Sequence, residues 1–195
     1  MPWSPLLLAG PGVRGKTIGF LGFGRIGKEV LKRLVAFGVS SATVFRRSNG
    51  EIEEDYGVPV KRASSPGEVA NESDIVIVAC ALSSETRHLV DEGFLQKMRK
   101  SAVLVNIARG PIVDTEALVK ALKEEWIFGA GLDVVENEPN IPADHPLLAL
   151  ERCVVLPHVG SAETGTREMM GREAVENLLA GVRGTKMENG GEVTF

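Results

Sequence analysis

The sequence predicts an α/β protein built on a doubly wound parallel sheet. Three observations carry that expectation: strand-length runs that are almost wholly apolar, amphipathic helical stretches that alternate with them, and a glycine-rich turn where the first strand passes into the first helix. Strands with one face in water alternate polar and apolar residues, whereas runs such as IVIV at 75–78 do not. That continuity suits strands covered by helices on both faces.

Each element has its own reason. Thr17–Leu21 (TIGFL) reads as a strand, residues 25–37 as a helix with Ile26, Val30, Leu31 and Leu34 on one face, and residues 42–45 as the next strand, which together make one βαβ unit. Further strands are expected at 74–79, 102–106, 128–132 and 153–156. Helical spacing recurs at 91–97 and Thr115–Lys123, with Asp91 and Asp114 where side chains cap helix starts. Residues 163–180 form the last and longest helix, in which Met169, Met170, Ala174, Leu178 and Leu179 are spaced as a buried stripe.

Composition bounds the function. Of 195 residues, 44% are hydrophobic and 25% charged, enough apolar matter for a real core and far from the signature of disorder. The longest apolar run, IVIVACAL at 75–82, falls well short of the roughly 20 residues a membrane span needs. The first residues, MPWSPLLLAGPG, lack the basic segment and cleavage site of a secretory leader. A net charge of −4 argues against nucleic acid as a partner. Cys80 and Cys153, each beside apolar residues, read as buried reduced thiols rather than a disulfide or metal site, and a cytoplasmic location is expected.

Gly22-Phe23-Gly24-Arg25-Ile26-Gly27 is a GxGxxG that leaves a strand and opens a helix, the context in which this pattern binds a dinucleotide. Gly22 allows the tight turn, Gly24 lets backbone approach a pyrophosphate, and Gly27 lets helix and strand pack closely. The residue that selects the ribose stands about 20 residues further on. There the chain carries Arg46-Arg47-Ser48 and no acid, which suits a 2′-phosphate and predicts NADP(H) over NAD(H). The competing explanation is solvated charge that balances the acidic run Glu51, Glu53, Glu54 and Asp55.

Four later segments complete the picture: Val105-Asn106-Ile107-Ala108-Arg109-Gly110, Gly131-Leu132-Asp133-Val134 running on to Glu138-Pro139, His145-Pro146-Leu147, and Leu156-Pro157-His158-Val159-Gly160-Ser161. With Gly15-Lys16-Thr17 before the glycine turn, this order resembles the D-isomer-specific 2-hydroxyacid dehydrogenase family, and within it the glyoxylate/hydroxypyruvate reductases. The resemblance covers nearly the whole chain. It implies a Rossmann-type fold and reduction of a small 2-oxo acid to a D-2-hydroxy acid. It implies that Arg109 holds the substrate carboxylate, that His158 contacts the substrate and exchanges the proton, and that Glu138 tunes the histidine. Spacing alone does not choose between Glu136 and Glu138; the resemblance selects Glu138. It also implies cofactor contacts at Arg25, Ile26, Ile107, Asp133 and Gly160, and a homodimer through the nucleotide domain. The other histidines, His88 and His145, read as structural or solvated.

The expected organisation is a crossing segment at 1–12, an NADP-binding domain at 13–160, a helix returning towards a substrate domain at 161–184, and a loose tail at 185–195. Only remnants of a second domain are expected. The segment Trp3-Ser4-Pro5-Leu6 resembles the crossing that precedes the family's nucleotide domain, and the family's upstream substrate-domain part is expected to be missing. The expectation is therefore an active site open on one side and an impaired reductase, with a non-catalytic dinucleotide-binding or dimerisation module as the alternative.

Overall fold

The computed structural model describes residues 9–47, 52, 54–185 and 187. It comprises two compact units, Met1–Pro157 and His158–Phe195. The expected crossing segment falls largely, and the expected tail almost wholly, outside the described residues. Among the described residues no helix is long and apolar enough to cross a membrane.

The first unit contains strands β1 (Thr17–Leu21), β2 (Ser41–Phe45), β3 (Val60–Arg62), β4 (Ile75–Val78), β5 (Val103–Asn106), β6 (Gly129–Leu132) and β7 (Cys153–Val155), with helices α1 (Arg25–Ala36), α2 (Pro66–Glu72), α3 (Glu92–Leu95) and α4 (Thr115–Lys123). All seven strands run parallel in the order β3-β2-β1-β4-β5-β6-β7, so the winding reverses between β1 and β4. The doubly wound α/β sheet expected from the sequence is the fold observed. Ligands of such sheets bind outside the carboxyl ends of the strands at that reversal.

The two faces of the sheet bury separate apolar clusters, as the period of two along each strand requires. Ile18, Phe20, Val44 and Ile77 pack with Leu31 of α1 and with Phe23 and Tyr56. Val76, Val78, Leu104 and Leu132 pack with Val69 of α2, Phe94 and Leu95 of α3, and Leu118 of α4. Ile18, Phe20, Leu31, Leu104 and Leu118 are completely buried, each contributing about 1.5–3 kcal/mol relative to exposure. Asp91 and Asp114 cap α3 and α4 through bonds from Phe94 N–H (2.8 Å) and Ala117 N–H (3.0 Å).

The register fixes where the strands end. Phe45, Leu21, Val78, Asn106 and Leu132 are paired in turn across five adjacent strands and form one row at the carboxyl edge. The residues that follow them, Arg46, Gly22, Ala79, Ile107 and Asp133, therefore leave the sheet along the same edge.

Several expectations need correction. Strand β3 and helix α2 were not anticipated: β3 carries exposed Lys61 and Arg62 at the sheet's edge, and α2 is seven residues long with Pro66 and Gly67 in its first turn, so neither shows the periodicity of its class. Its start is nonetheless marked, since Ser65 accepts the N–H of Glu68 at 3.3 Å. The last strand is not covered on both faces. As the opposite edge strand, β7 leaves Val154 61% exposed. Cys80 and Cys153 are free thiols, but half-buried rather than buried.

The second unit is dominated by α5 (Thr164–Val182), whose start is capped by Glu163 through bonds from Gly165 N–H (2.9 Å) and Thr166 N–H (2.6 Å). Its expected buried stripe is absent: no residue of α5 is buried, and Met169 and Leu178 are 57% and 67% exposed. Val175, Leu178, Leu179 and Val182 share one side of the helix, at i, i+3, i+4 and i+7, yet all four are exposed, as are Met169 and Met170 elsewhere round it.

Candidate functional site

The glycine turn lies where the winding reverses. Gly22 follows β1 with φ +89°, a left-handed conformation, and its N–H donates to the Phe45 carbonyl at 2.8 Å. A side chain here would run into the backbone of Cys80, so the close approach of the turns after β1 and β4 requires glycine. Gly24 is the N-cap of α1, with extended backbone (φ −90°, ψ −160°), no side-chain cap and no acid in the first helical turn. Open space surrounds its Cβ position. An uncapped helix start of partial positive charge, open at its cap, fits a pyrophosphate. Gly27 is buried against the turn, whereas Arg25 and Ile26 are exposed. Ile26 thus departs from the apolar face assigned to it from periodicity, with 63% exposure, because it precedes the part of α1 that rests on the sheet.

At the end of β2, Arg46 is half-buried and Arg47 exposed; Ser48 lies outside the described residues. Arg47 forms an ion pair with Glu85, on the loop that follows β4. Of the acidic run at 51–55, Glu54 and Asp55 are among the described residues. Within that run Glu54 is engaged by Lys32 (2.7 Å), Lys28 (3.2 Å) and the Tyr56 hydroxyl (2.7 Å), which hold its carboxyl down at about 2. Burial and the bond to Glu54 push the Tyr56 hydroxyl well above its ordinary range, and the positive charge of Arg46 partly offsets this.

Beside the glycine turn opens a cleft of about 500 Å³, lined by Ile26, Ala79, Cys80, Ala81, Leu82, Ile107, Ala108 and Arg109. Its far wall is the turn after β5, and the completely buried Asn106 shapes that turn. The Asn106 side-chain amide donates to the Arg109 carbonyl at 3.0 Å, and its carbonyl accepts the Ala108 N–H at 3.0 Å. The exposed Arg109 guanidinium donates to the Ala108 carbonyl at 2.6 Å. Next to it, Gly110 packs so tightly on the backbone of Val135 and Glu136 that no Cβ fits. Asp133 begins the loop after β6, its N–H bonded to the Asn106 carbonyl at 3.0 Å.

Two glutamates on that loop differ in surroundings. Glu136 accepts from His88 at 2.9 Å and from the Thr115 N–H at 3.3 Å, with Arg87 at 3.7 Å. Burial raises its affinity for a proton, but the bonds from His88 and Thr115 outweigh this and hold its carboxyl below the ordinary value. Glu136 and His88 therefore tie this loop to the one after β4. Glu138 is half-buried and joined to Pro139 by a cis peptide. His145 accepts the Leu147 N–H at 3.4 Å as a local cap, so both it and His88 have the structural surroundings expected of them.

His158 and Gly160 belong to the second unit, where both are exposed and His158 adopts φ +53°. Among non-glycine residues that left-handed conformation is uncommon, and histidine is one of the types enriched in it.

The family described as D-isomer specific 2-hydroxyacid dehydrogenase, NAD binding domain, matches residues 2–160. The chain belongs to this family. It is 45% identical to a glyoxylate reductase of Thermofilum pendens over 94% of its length and 53% of that protein's. It is 43% identical to the human glyoxylate reductase/hydroxypyruvate reductase over 95% of its length and 56% of that protein's. Its fold matches the crystal structure of an NADPH-dependent glyoxylate/hydroxypyruvate reductase from Sinorhizobium meliloti, in complex with NADP and malonate. That match has a TM-score of 0.78 and 39% identity, over 92% of this chain and 52% of that one. The chain thus spans about half the length of the relatives it matches. As a member of the family it is a dinucleotide-binding domain, and the carboxyl edge of its sheet is where the fold places such a ligand.

One residue that shapes the candidate site was quoted within its segment but given no role from the sequence. Asn106 orders the Arg109 turn, and its signal was a lone amide at the end of an otherwise apolar strand.

Proposed function

We propose that the chain is an NADPH-dependent reductase of glyoxylate and hydroxypyruvate, converting 2-oxo acids to D-2-hydroxy acids. One observation supports this most: the strand register sets the glycine turn, the Arg46-Arg47 pair and the Arg109 turn along a single edge of the sheet. Bound NADPH supplies the hydride that C2 of the substrate accepts. The uncapped start of α1 at Gly24 to Ile26 holds the pyrophosphate, with Ile107, Asp133 and Gly160 as further contacts. Arg46 and Arg47, with Ser48, receive the 2′-phosphate. Arg109 takes the substrate carboxylate through its planar fork of donors. His158 gives a proton to the carbonyl oxygen as C2 is reduced, and Glu138 is the carboxylate assigned to keep that histidine charged. Glu136, bound by His88 and Thr115, is already committed to structure.

The test is oxidation of NADPH by the purified 195-residue chain with hydroxypyruvate. Turnover that disappears in His158→Ala is expected, and unchanged activity in that variant would refute the mechanism. For the cofactor, the ratio of affinities for NADPH and NADH is expected to fall at least about tenfold in Arg47→Ala, one charge-assisted contact to phosphate being lost.

A second reading, a binding module without catalysis, is favoured by one fact. The first unit by itself supplies the glycine turn, both arginines and the cleft. NADPH binding with no turnover on any 2-oxo acid is its expected result.

A further inference from the structure

We propose that Glu85 is a specificity-determining residue of the dinucleotide site: an internal anion seated on Arg47, which the 2′-phosphate of NADPH displaces and the 2′-hydroxyl of NADH leaves in place. The inference rests on the NADPH reading above and adds to it a residue far from the glycine motif and the arginine pair in sequence.

Placement is the first argument. Arg47 follows β2 and Glu85 lies on the loop after β4, the strands on either side of β1. Their ion pair therefore spans the carboxyl end of β1, from which the glycine turn departs. A dinucleotide seated on that turn brings its adenosine ribose to the end of β2, beside this contact.

Charge is the second. Among the described residues the guanidinium is paired with Glu85, while Glu54 of the local acidic run is held by Lys28, Lys32 and Tyr56. A phosphate monoester carries close to two negative charges at neutral pH against one on a carboxylate, and it offers three acceptor oxygens. Exchange of Glu85 for the 2′-phosphate is downhill, but the displaced carboxylate reduces the gain. With NADH nothing competes, and the Arg47–Glu85 pair persists. Both side chains are 64% exposed, so the exchange needs no rearrangement of the core. In consequence Glu85 narrows the preference that the arginine pair creates, and the wild-type chain retains usable affinity for both cofactors.

The experiment is fluorescence titration of the full chain with NADPH and with NADH, for wild type, Glu85→Gln, Arg47→Ala and the double variant, with circular dichroism to confirm the fold of each. Glu85→Gln is expected to tighten NADPH about threefold to fivefold, the worth of one solvent-exposed ion pair, and to leave NADH unchanged. In the Arg47→Ala background the same substitution is expected to have no effect. A gain for both cofactors alike, or one that persists without Arg47, would overturn the proposal, because either result means general repulsion rather than competition for one guanidinium. No gain in Glu85→Gln, with a lowered NADPH preference in Arg47→Ala, overturns the proposal alone. An unchanged preference in Arg47→Ala removes the NADPH reading and this proposal with it.

Discussion

The buried side chain of Asn106 is bonded to the backbone carbonyl of Arg109 three residues later, at 3.0 Å, while its other polar atom accepts the Ala108 N–H. A single amide at the end of β5 thus replaces the ladder bonds that the chain loses on leaving the sheet, and sets the backbone of the arginine proposed to hold the substrate. Asn106→Leu keeps the branched outline but removes both bonds, leaving the buried turn without the partner of the Ala108 N–H while the Arg109 carbonyl keeps the Ile112 N–H at 3.2 Å. The expected loss is about 1–3 kcal/mol in urea unfolding, against a change within error for a substitution at the exposed Lys100.

Gly110 presses on the backbone of Val135 and Glu136, where nothing but hydrogen fits. Gly110→Ala is therefore expected to force the turn after β5 away from the loop after β6, at a cost of about 3 kcal/mol read as a lower urea midpoint. An unchanged midpoint would show that the two turns separate without strain.

Glu68 illustrates an electrostatic contribution to a short helix. Lys61 at 2.6 Å and the N–H and hydroxyl of Ser64, both at 2.7 Å, hold its carboxyl at about 2, below the ordinary 4.5. A depressed carboxylate stabilises the fold fully above the unfolded-state value and progressively less as pH falls towards the folded-state value. The difference in Tm between wild type and Glu68→Gln is thus expected to be constant above about pH 5 and to shrink between about pH 4.5 and pH 2. Because the groups are near the surface, added salt should reduce it. A difference that grows on acidification would contradict the assignment.

The two thiols should be poor nucleophiles. Burial pushes Cys153 up to about 11 and raises Cys80 as well. At pH 8, Cys153 in the native chain is expected to react with iodoacetamide about two orders of magnitude more slowly than a free thiol, as measured by peptide mapping over time, and to react normally in denaturant. Fast native alkylation would contradict the burial.

Much of this was legible in the residues, for reasons that differ by element. The central strands announce themselves because both faces are covered, which forces runs such as IVIV at 75–78 to be apolar throughout. The glycine turn is legible because its backbone excludes side chains, at Gly22 most of all. Elements that depend on tertiary context were not: β3 is three residues at an edge, and α2 starts with residues that also make turns. The spacing of apolar residues along α5 suggested a buried stripe, but spacing does not report cover, and none of the residues of α5 is buried. Within the site, the arginine pair could be read from its distance beyond the glycine turn. Its contact with Glu85 could not, since 38 residues of sequence separate Arg47 from a partner that only the strand order brings near.

The central claim is that a dinucleotide pyrophosphate sits on the open start of α1, and titration of NADPH against wild type and Gly24→Asp tests it most directly. The Gly24 cap position has open space round it and extended backbone, and aspartate is a favoured helix cap, so the variant is expected to fold with equal or higher Tm. Its carboxylate nevertheless stands where the pyrophosphate is placed. The account predicts saturable NADPH binding by wild type that weakens at least about 30-fold in the variant, like charges being forced together in one site. Equal binding by the two proteins would contradict it.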